Sequence, residues 1–395
     1  MKKILIIGAG FLQSFVIKKA KEMGYYTIAI DKNPNSIGFQ YADEYGIIDI
    51  VNREDCLEFA REKSIDGVMT AATDYGVLSA AYIADKMHLP GLKYEIAKLI
   101  KNKYKVRQIL FENKIDDISQ YYEISDIRQL AEVRDKIHFP VMVKPSDGSG
   151  SKAAKRVDTA SELNSACKEA IGASLANRAL IEDFIEGKEY GVESFVYDGQ
   201  VHVLGIMGKY MTSPPDYAEL GHFIPSDLEI EERVREVVRN AIKALGLDFG
   251  AVNMDILVTE ENQISIIDVG ARMGGNLIGS HIIPISTEYD YLGNLIKASV
   301  RDDIDPPNCK TAKSVSTKIL ALKPGVITSL PDFDKISKDN NVDIYFIKNV
   351  GEDIRDYHNN LDGCGYALSV GKNLVEVEKN AIKAKDAINR GINRV

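Results

Sequence analysis

The sequence predicts an α/β chain: an N-terminal doubly wound parallel sheet, a central α+β region and a C-terminal β-rich module. Three observations carry this. Up to about Leu92, short apolar runs alternate with amphipathic helices, the pattern of parallel strands joined by helical crossovers. In the middle, two neighbouring apolar strands at 251–259 and 263–269 each carry one acid. Beyond about Pro306, β-prone segments follow one another closely and end in a helix at 374–390.

Taken in order, residues 4–7, 27–30, 45–48 and 67–70 read as strands, and 13–23, 53–63 and 75–87 as helices. The apolar run after Met1 breaks at once at Gly8, which marks a first strand rather than a leader. Gly8-Ala9-Gly10, with Asp31 closing the second strand, half-matches a dinucleotide fingerprint, but Gln13 stands at the third glycine position. A tight turn into a helix is the expectation there. After Pro90-Gly91 come a lysine-rich helix at 96–113, a small α/β region to about 185 and a helix at 229–245 ahead of the two acid-bearing strands. The expected division is 1–95, 96–305 with a smaller subdomain at about 114–185, and 306–395.

Composition narrows the function. With 395 residues, 45% hydrophobic and 27% charged, the chain has the make-up of a globular protein of several domains. Its net charge of −9 argues against nucleic acid as a main partner. No apolar stretch is long enough to span a bilayer. Cys56, Cys167, Cys309 and Cys364 are scattered without a CxxC pair, so neither a disulfide framework nor a zinc site is expected, and a reducing cytoplasm is the expected compartment.

Three segments carry chemistry. Lys144 leaves the apolar strand Val141-Met142-Val143 into a loop holding Ser146, Gly148, Ser149, Gly150 and Ser151; exposed N–H groups and an ammonium suit phosphate oxygens. An acidic run, Glu182-Asp183-Phe184-Ile185 with Glu189 beyond it, comes next. Asp255 and Asp268, on apolar strands, are hard oxygen donors of the kind Mg²⁺ takes, and burying two carboxylates together favours a cation between them. The chain reads as an enzyme using Mg-ATP.

In this order these segments resemble the ATP-grasp superfamily of carboxylate–amine ligases, over nearly the whole chain. The resemblance implies a central ATP-grasp fold of two α+β subdomains. It implies that Lys144 contacts the ATP phosphates under the glycine loop, and that Lys103, preceded by Asn102 where the family usually has aspartate, is a second nucleotide lysine. It further implies that Glu182 to Ile185 receive the adenine, that Glu189 accepts the ribose hydroxyls, and that Asp255 and Asp268 hold Mg²⁺ or Mn²⁺. Gly270 stands where the family often has a third ligand, asparagine. The string Asp268-x-Gly-Ala-Arg272-x-Gly-Gly, together with Glu219 and His222, resembles the L-amino-acid ligase group and implies that these three side chains meet substrate, with Arg272 and Lys144 catalytic. The implied reaction activates a carboxylate as an acyl phosphate and couples it to an amine, releasing ADP and phosphate. The partners are then a small-molecule carboxylate and amine, with neither nucleic acid nor membrane, and a homodimer is compatible. By domain plan the chain also resembles phosphoribosylglycinamide synthetase and carbamoyl-phosphate-synthetase-like proteins. A purine-pathway ligase acting on a ribonucleotide amine or bicarbonate is thus the rival, and a non-catalytic nucleotide-binding module the third reading.

Overall fold

The computed structural model describes residues 1–148, 153–214 and 216–395. Lys3–Ile7 (β1), Tyr26–Asp31 (β2), Glu44–Ile47 (β3) and Gly67–Thr70 (β4) form a parallel sheet in the order β3-β2-β1-β4. Strand β1 is a continuous apolar run because both faces are covered. Ile4 and Ile6 pack with Phe11–Glu22 (α1), whereas Leu5 and Ile7 pack with Arg53–Lys63 (α2) and Val77–Met87 (α3).

The single helix expected over 96–113 is two, Tyr94–Ile100 (α4) and Lys103–Glu112 (α5). Asn102 between them is extended, and its side chain accepts the Lys105 N–H at 3.0 Å, capping α5. The apolar spacing runs on across the break, which is why periodicity alone hides it. The cap also positions the chain for the site: the Lys103 N–H at the new helix start donates to the Ser146 carbonyl at 2.8 Å, tying α5 to the segment after Lys144.

Tyr121–Ile124 (β5), Val141–Pro145 (β6), Lys155–Val157 (β7) and Ala179–Asp183 (β8) make a small antiparallel sheet ordered β5-β8-β6-β7. Leu130–Val133 (α6) and Ala160–Ala173 (α7) supply its apolar cover. Lys188–Tyr197 (β9), Gln200–Met211 (β10) and Glu219–Ile224 (β11) open the large sheet. After Glu231–Ala244 (α8) the chain adds Gly250–Val258 (β12) and Ile264–Gly270 (β13). Ile283–Thr287 (α9) and Tyr291–Ser299 (α10) lead to the last third: Ser314–Ile319 (β14), Gly325–Ser329 (β15), Phe333–Asn340 (α11), Asp343–Phe346 (β16), Asp353–Ile354 (β17), Gly365–Gly371 (β18), Leu374–Gly391 (α12) and Asn393–Arg394 (β19). The large sheet runs β13-β12-β9-β10-β11-β14-β18-β16, all antiparallel. The β-rich C-terminal segment therefore extends the central sheet, while β15, β17 and β19 form a small sheet of their own. Alternation along β9 sends Val192 and Val196 toward α8 and Phe195 toward α10 and the N-terminal sheet, so one strand serves two cores.

Candidate active site

A cavity of about 1090 Å³ opens where the N-terminal loops, the small sheet and the large sheet meet. Period-2 alternation buries Val141 and Val143 and puts Met142 and Lys144 of β6 on the cavity side. Glu182 of β8 is paired in register with Met142 and shares that face. Its carboxylate lies 2.5 Å from the Lys144 ammonium and accepts from Arg107 Nε at 2.9 Å. Burial alone would raise its pKa, but Lys144 and Arg107 hold it below the usual carboxylate value. Lys144 also donates to the Ile267 carbonyl at 2.9 Å, which places the ammonium between the two sheets.

Beside this pair the Asp183 carboxylate accepts from the Ser119 N–H at 2.6 Å and Gln120 Nε2 at 2.7 Å, fixing the end of β8. Phe184 and Ile185 come next on the cavity wall, with the Arg156 guanidinium 4.5 Å from the Phe184 ring centre. Lys103 pairs with Asp268, which keeps the buried ammonium above its ordinary pKa although desolvation pulls the other way. The same pairing outweighs burial at Asp268 and takes it down to about 2.

Asp255 and Asp268 stand opposite each other in the β12–β13 register. Asp255 nevertheless faces a different cation. Lys209 of β10 lies 2.7 Å from Glu189, 2.7 Å from Glu219 and 2.6 Å from Asp255. Burial, with Lys209 opposing it and Glu189 and Glu219 adding to it, pushes Asp255 up to about 7. Glu219 goes the other way, to about 2, because Lys209 overcomes its burial. It also accepts from the side-chain amides of Asn276 and, at 3.1 Å, Asn360. Arg272 lies just past β13 and holds Asp74, from the loop after β4, at 3.1 Å, while its buried Nε has no partner among the described residues. Glu193 fixes the turn after Arg272, accepting from the Gly274 N–H at 3.1 Å, Tyr291 Oη at 2.7 Å and Asn253 Nδ2 at 2.9 Å. A Cβ on Gly274 would sit 2.9 Å from that carboxylate, so the turn has no room for a side chain.

Residues 137–280 match the ATP-grasp domain family. The chain carries an ATP-grasp domain. The ATP-grasp resemblance holds across the full length in two solved structures. Phosphoribosylglycinamide synthetase from Anaerococcus prevotii is 26% identical, with a TM-score of 0.81 and coverage of 100% of this chain and 99% of that one. L-amino acid ligase from Bacillus licheniformis is 21% identical with a TM-score of 0.85, covering 100% and 98%, and shows the same fold. The large chain of carbamoyl phosphate synthase from Thermotoga petrophila is 25% identical over 289 residues, which are 69% of this chain but only 26% of that protein. ATP-grasp ligases are ATP-dependent carboxylate–amine ligases that form carbon–nitrogen bonds and release ADP, and the chain is an enzyme of this kind.

Of the candidate residues in this ATP-grasp ligase, Lys103, Lys144, Gly148, Glu182 to Ile185, Glu189, Glu219, Asp255, Asp268 and Arg272 line the one cavity. Ser149, Gly150 and Ser151 lie outside the described residues. Ser146 is buried beneath the wall. His222 is fully buried behind Glu219, its Nε2 3.9 Å from that carboxylate, and is not among the lining residues. Burial takes its pKa down to about 4, so the ring is neutral. A histidine at 6.5 in the unfolded chain and about 4 in the folded one contributes stability that is complete above pH 6.5 and is lost as pH falls toward 4. His222→Leu is expected to flatten the decline in melting temperature over that window, on the order of 3 kcal/mol at most; an unchanged pH profile would assign the decline to other groups.

Lys209, Arg107 and Asp74 are functional candidates that reading the sequence missed. Lys209 had the same signal as Lys144, an ammonium leaving an apolar strand, Ile206-Met207-Gly208. Arg107 was hidden in a basic run, and Asp74 had no local signal at all.

ATP-grasp enzymes use ATP with Mg²⁺, and the donor set here fits that ion. Glu189, Glu219 and Asp255 bring carboxylate oxygens within 4.8 Å of one another, with Asp268 next to Asp255 in register. Hard oxygen ligands of this type are what Mg²⁺ takes.

Proposed function

We propose that this enzyme binds Mg-ATP between Lys103, Lys144 and the Glu182–Ile185 wall, activates the carboxylate of an amino acid, and couples it to an amine to give a dipeptide-type amide. The observation that carries the reading is the arrangement of one cavity: two lysines and Phe184 lie toward the small sheet, and Arg272 with Glu219 lies toward the N-terminal and C-terminal walls. A carboxylate oxygen of the amino acid attacks the γ-phosphorus and ADP leaves. The amine nitrogen then attacks the acyl carbon, phosphate leaves with the bonding pair, and the nitrogen loses a proton. Arg272 suits the carboxylate oxygens, since a guanidinium offers several fixed donors. Glu219 suits an α-ammonium, being an acceptor held ionised. When bound, Mg²⁺ neutralises phosphate charge; Asp255 and Asp268 are the residues that would hold it.

Lys144→Ala is expected to weaken ATP binding about 10- to 100-fold, the value of a charge-assisted contact, and calorimetry with a non-hydrolysable ATP analogue checks it. The reaction is tested by ADP release over an amino-acid panel, with and without ribonucleotide amines, and by mass detection of an amide product. Turnover of a ribonucleotide amine with none for any amino-acid pair would replace this reading by the purine-pathway one.

A further inference from the structure

The break between α4 and α5 brings together two lysines that an unbroken helix would separate. Residues two apart on a helix point about 200° from each other. With Asn102 extended, Lys101 and Lys103 instead reach one narrow crevice, which shares Asp74, Lys103, Gly148 and Asp268 with the cavity. Its charged walls are Lys101, Lys103, Asp74, Asp147 and Asp268. Lys103 pairs with Asp268, and Asp74 pairs with Arg272 at 3.1 Å. The Asp147 carboxylate accepts the Leu175 and Ala176 N–H groups at 3.2 and 2.8 Å. Lys101 is left over. Among the described residues its half-buried ammonium makes no ion pair, and burial pulls its pKa below the ordinary value, with Asp74 the largest opposing charge.

Asp74 thus stands between two cations. Burial would raise its pKa, but Arg272 in contact and Lys101 from farther off hold it below the usual carboxylate range. The Ala72 N–H donates to the Met273 carbonyl at 3.1 Å, which pins the Asp74 loop to the segment after Arg272. A change of partner at Asp74 is therefore a matter of side-chain rotation. In the reaction read above, every donor that Arg272 turns to a substrate carboxylate is withdrawn from Asp74, and a half-buried acid left without counter-charge would oppose that binding.

We propose that Lys101 is a positioning residue that takes over the Asp74 carboxylate when Arg272 turns to the substrate, so that the guanidinium is released without stranding the acid. This rests on the reading of Arg272 as the partner of the substrate carboxylate. Lys101 is not among the described residues lining the cavity, and it acts through Asp74.

Exchange of partners predicts non-additive melting temperatures, read without any ligand. Lys101→Met alone leaves Arg272 on Asp74 and should change the melting temperature little. In Arg272→Ala the remaining cation for Asp74 is Lys101, so adding Lys101→Met there should cost about 2–4 °C more than in wild type. The excess should vanish when Asp74→Asn is added to both. In turnover the probes are Mg-ATP with glycine, alanine, leucine, aspartate or lysine. Lys101→Met should raise the KM of each amino acid that wild type uses about 10-fold, at unchanged calorimetric affinity for a non-hydrolysable ATP analogue, and Lys101→Arg should recover it. An equal cost of Lys101→Met in both backgrounds, or an unaltered amino-acid KM, overturns the exchange. So does a fall in affinity for the ATP analogue in place of the KM effect, which would make Lys101 a nucleotide cation. If wild type uses none of these amino acids, the amino-acid reading fails and the melting temperatures still decide the exchange.

Discussion

Arg272→Ala is expected to lower kcat by about 10²- to 10³-fold, the usual loss when a preorganised donor to a developing oxyanion is removed, with ATP affinity retained. The side chain is held in place by Asp74, yet its Nε has no partner among the described residues, so the guanidinium is oriented with donor capacity to spare. The surrounding carboxylates Asp74, Glu193 and Asp268 keep it charged. Arg272→Lys should recover little, because an ammonium cannot reproduce the planar fork. Removing Arg272 also takes the partner from the half-buried Asp74 carboxylate, which is a structural effect. Asp74→Asn separates the two: it frees the guanidinium from its tie but leaves it in the site, and should cost much less in kcat. Single-turnover ADP formation together with calorimetric ATP affinity is the measurement, and equal losses in Arg272→Ala and Asp74→Asn would reduce Arg272 to a strut between the N-terminal loop and β13.

Lys209→Ala is expected to have the largest effect on stability. It leaves Glu189, Glu219 and Asp255 facing one another without the ammonium that now lies within 2.7 Å of each. Breaking a buried ion pair from one side costs about 3–5 kcal/mol, and a fall in melting temperature of several degrees should result. Because the three carboxylates also form a divalent-cation donor set, Mg²⁺ should recover part of the loss in the variant and stabilise the wild type much less. Thermal melts in chelator and in millimolar Mg²⁺ read this directly. A deficit in Lys209→Ala that Mg²⁺ leaves unchanged would mean that this cluster is a structural ion network and that the metal, if held, depends on Asp255 with Asp268.

Much of the nucleotide side was legible without coordinates. Lys144, Glu182 and Asp268 announce themselves locally, as charged residues at strand positions flanked by apolar neighbours, and alternation already puts them on one face of each strand. Glu182 was legible as a site residue but not in its contacts: its carboxylate is taken up by Lys144 and Arg107, and Arg107 comes from a helix 75 residues earlier. The acceptor side was less legible. Glu219 and His222 are three residues apart in one motif, yet β11 turns the first to the cavity and buries the second.

By itself the sequence determined the strand and helix order of the N-terminal sheet and the placement of Lys144, Asp255 and Asp268 on apolar strands, because each depends on spacing within a single element. The break at Asn102 is also local, but it is a capping event, and capping leaves the apolar period intact. Only the tertiary structure decided which charges face one another. The Lys209 cluster draws on β9, β10, β11 and β12, and the Arg272–Asp74 pair spans 198 residues. Such pairings depend on strand order and on how the N-terminal sheet packs against the large one, and the long-range packing of buried groups, unlike a helical or strand period, leaves no repeat in the chain to read.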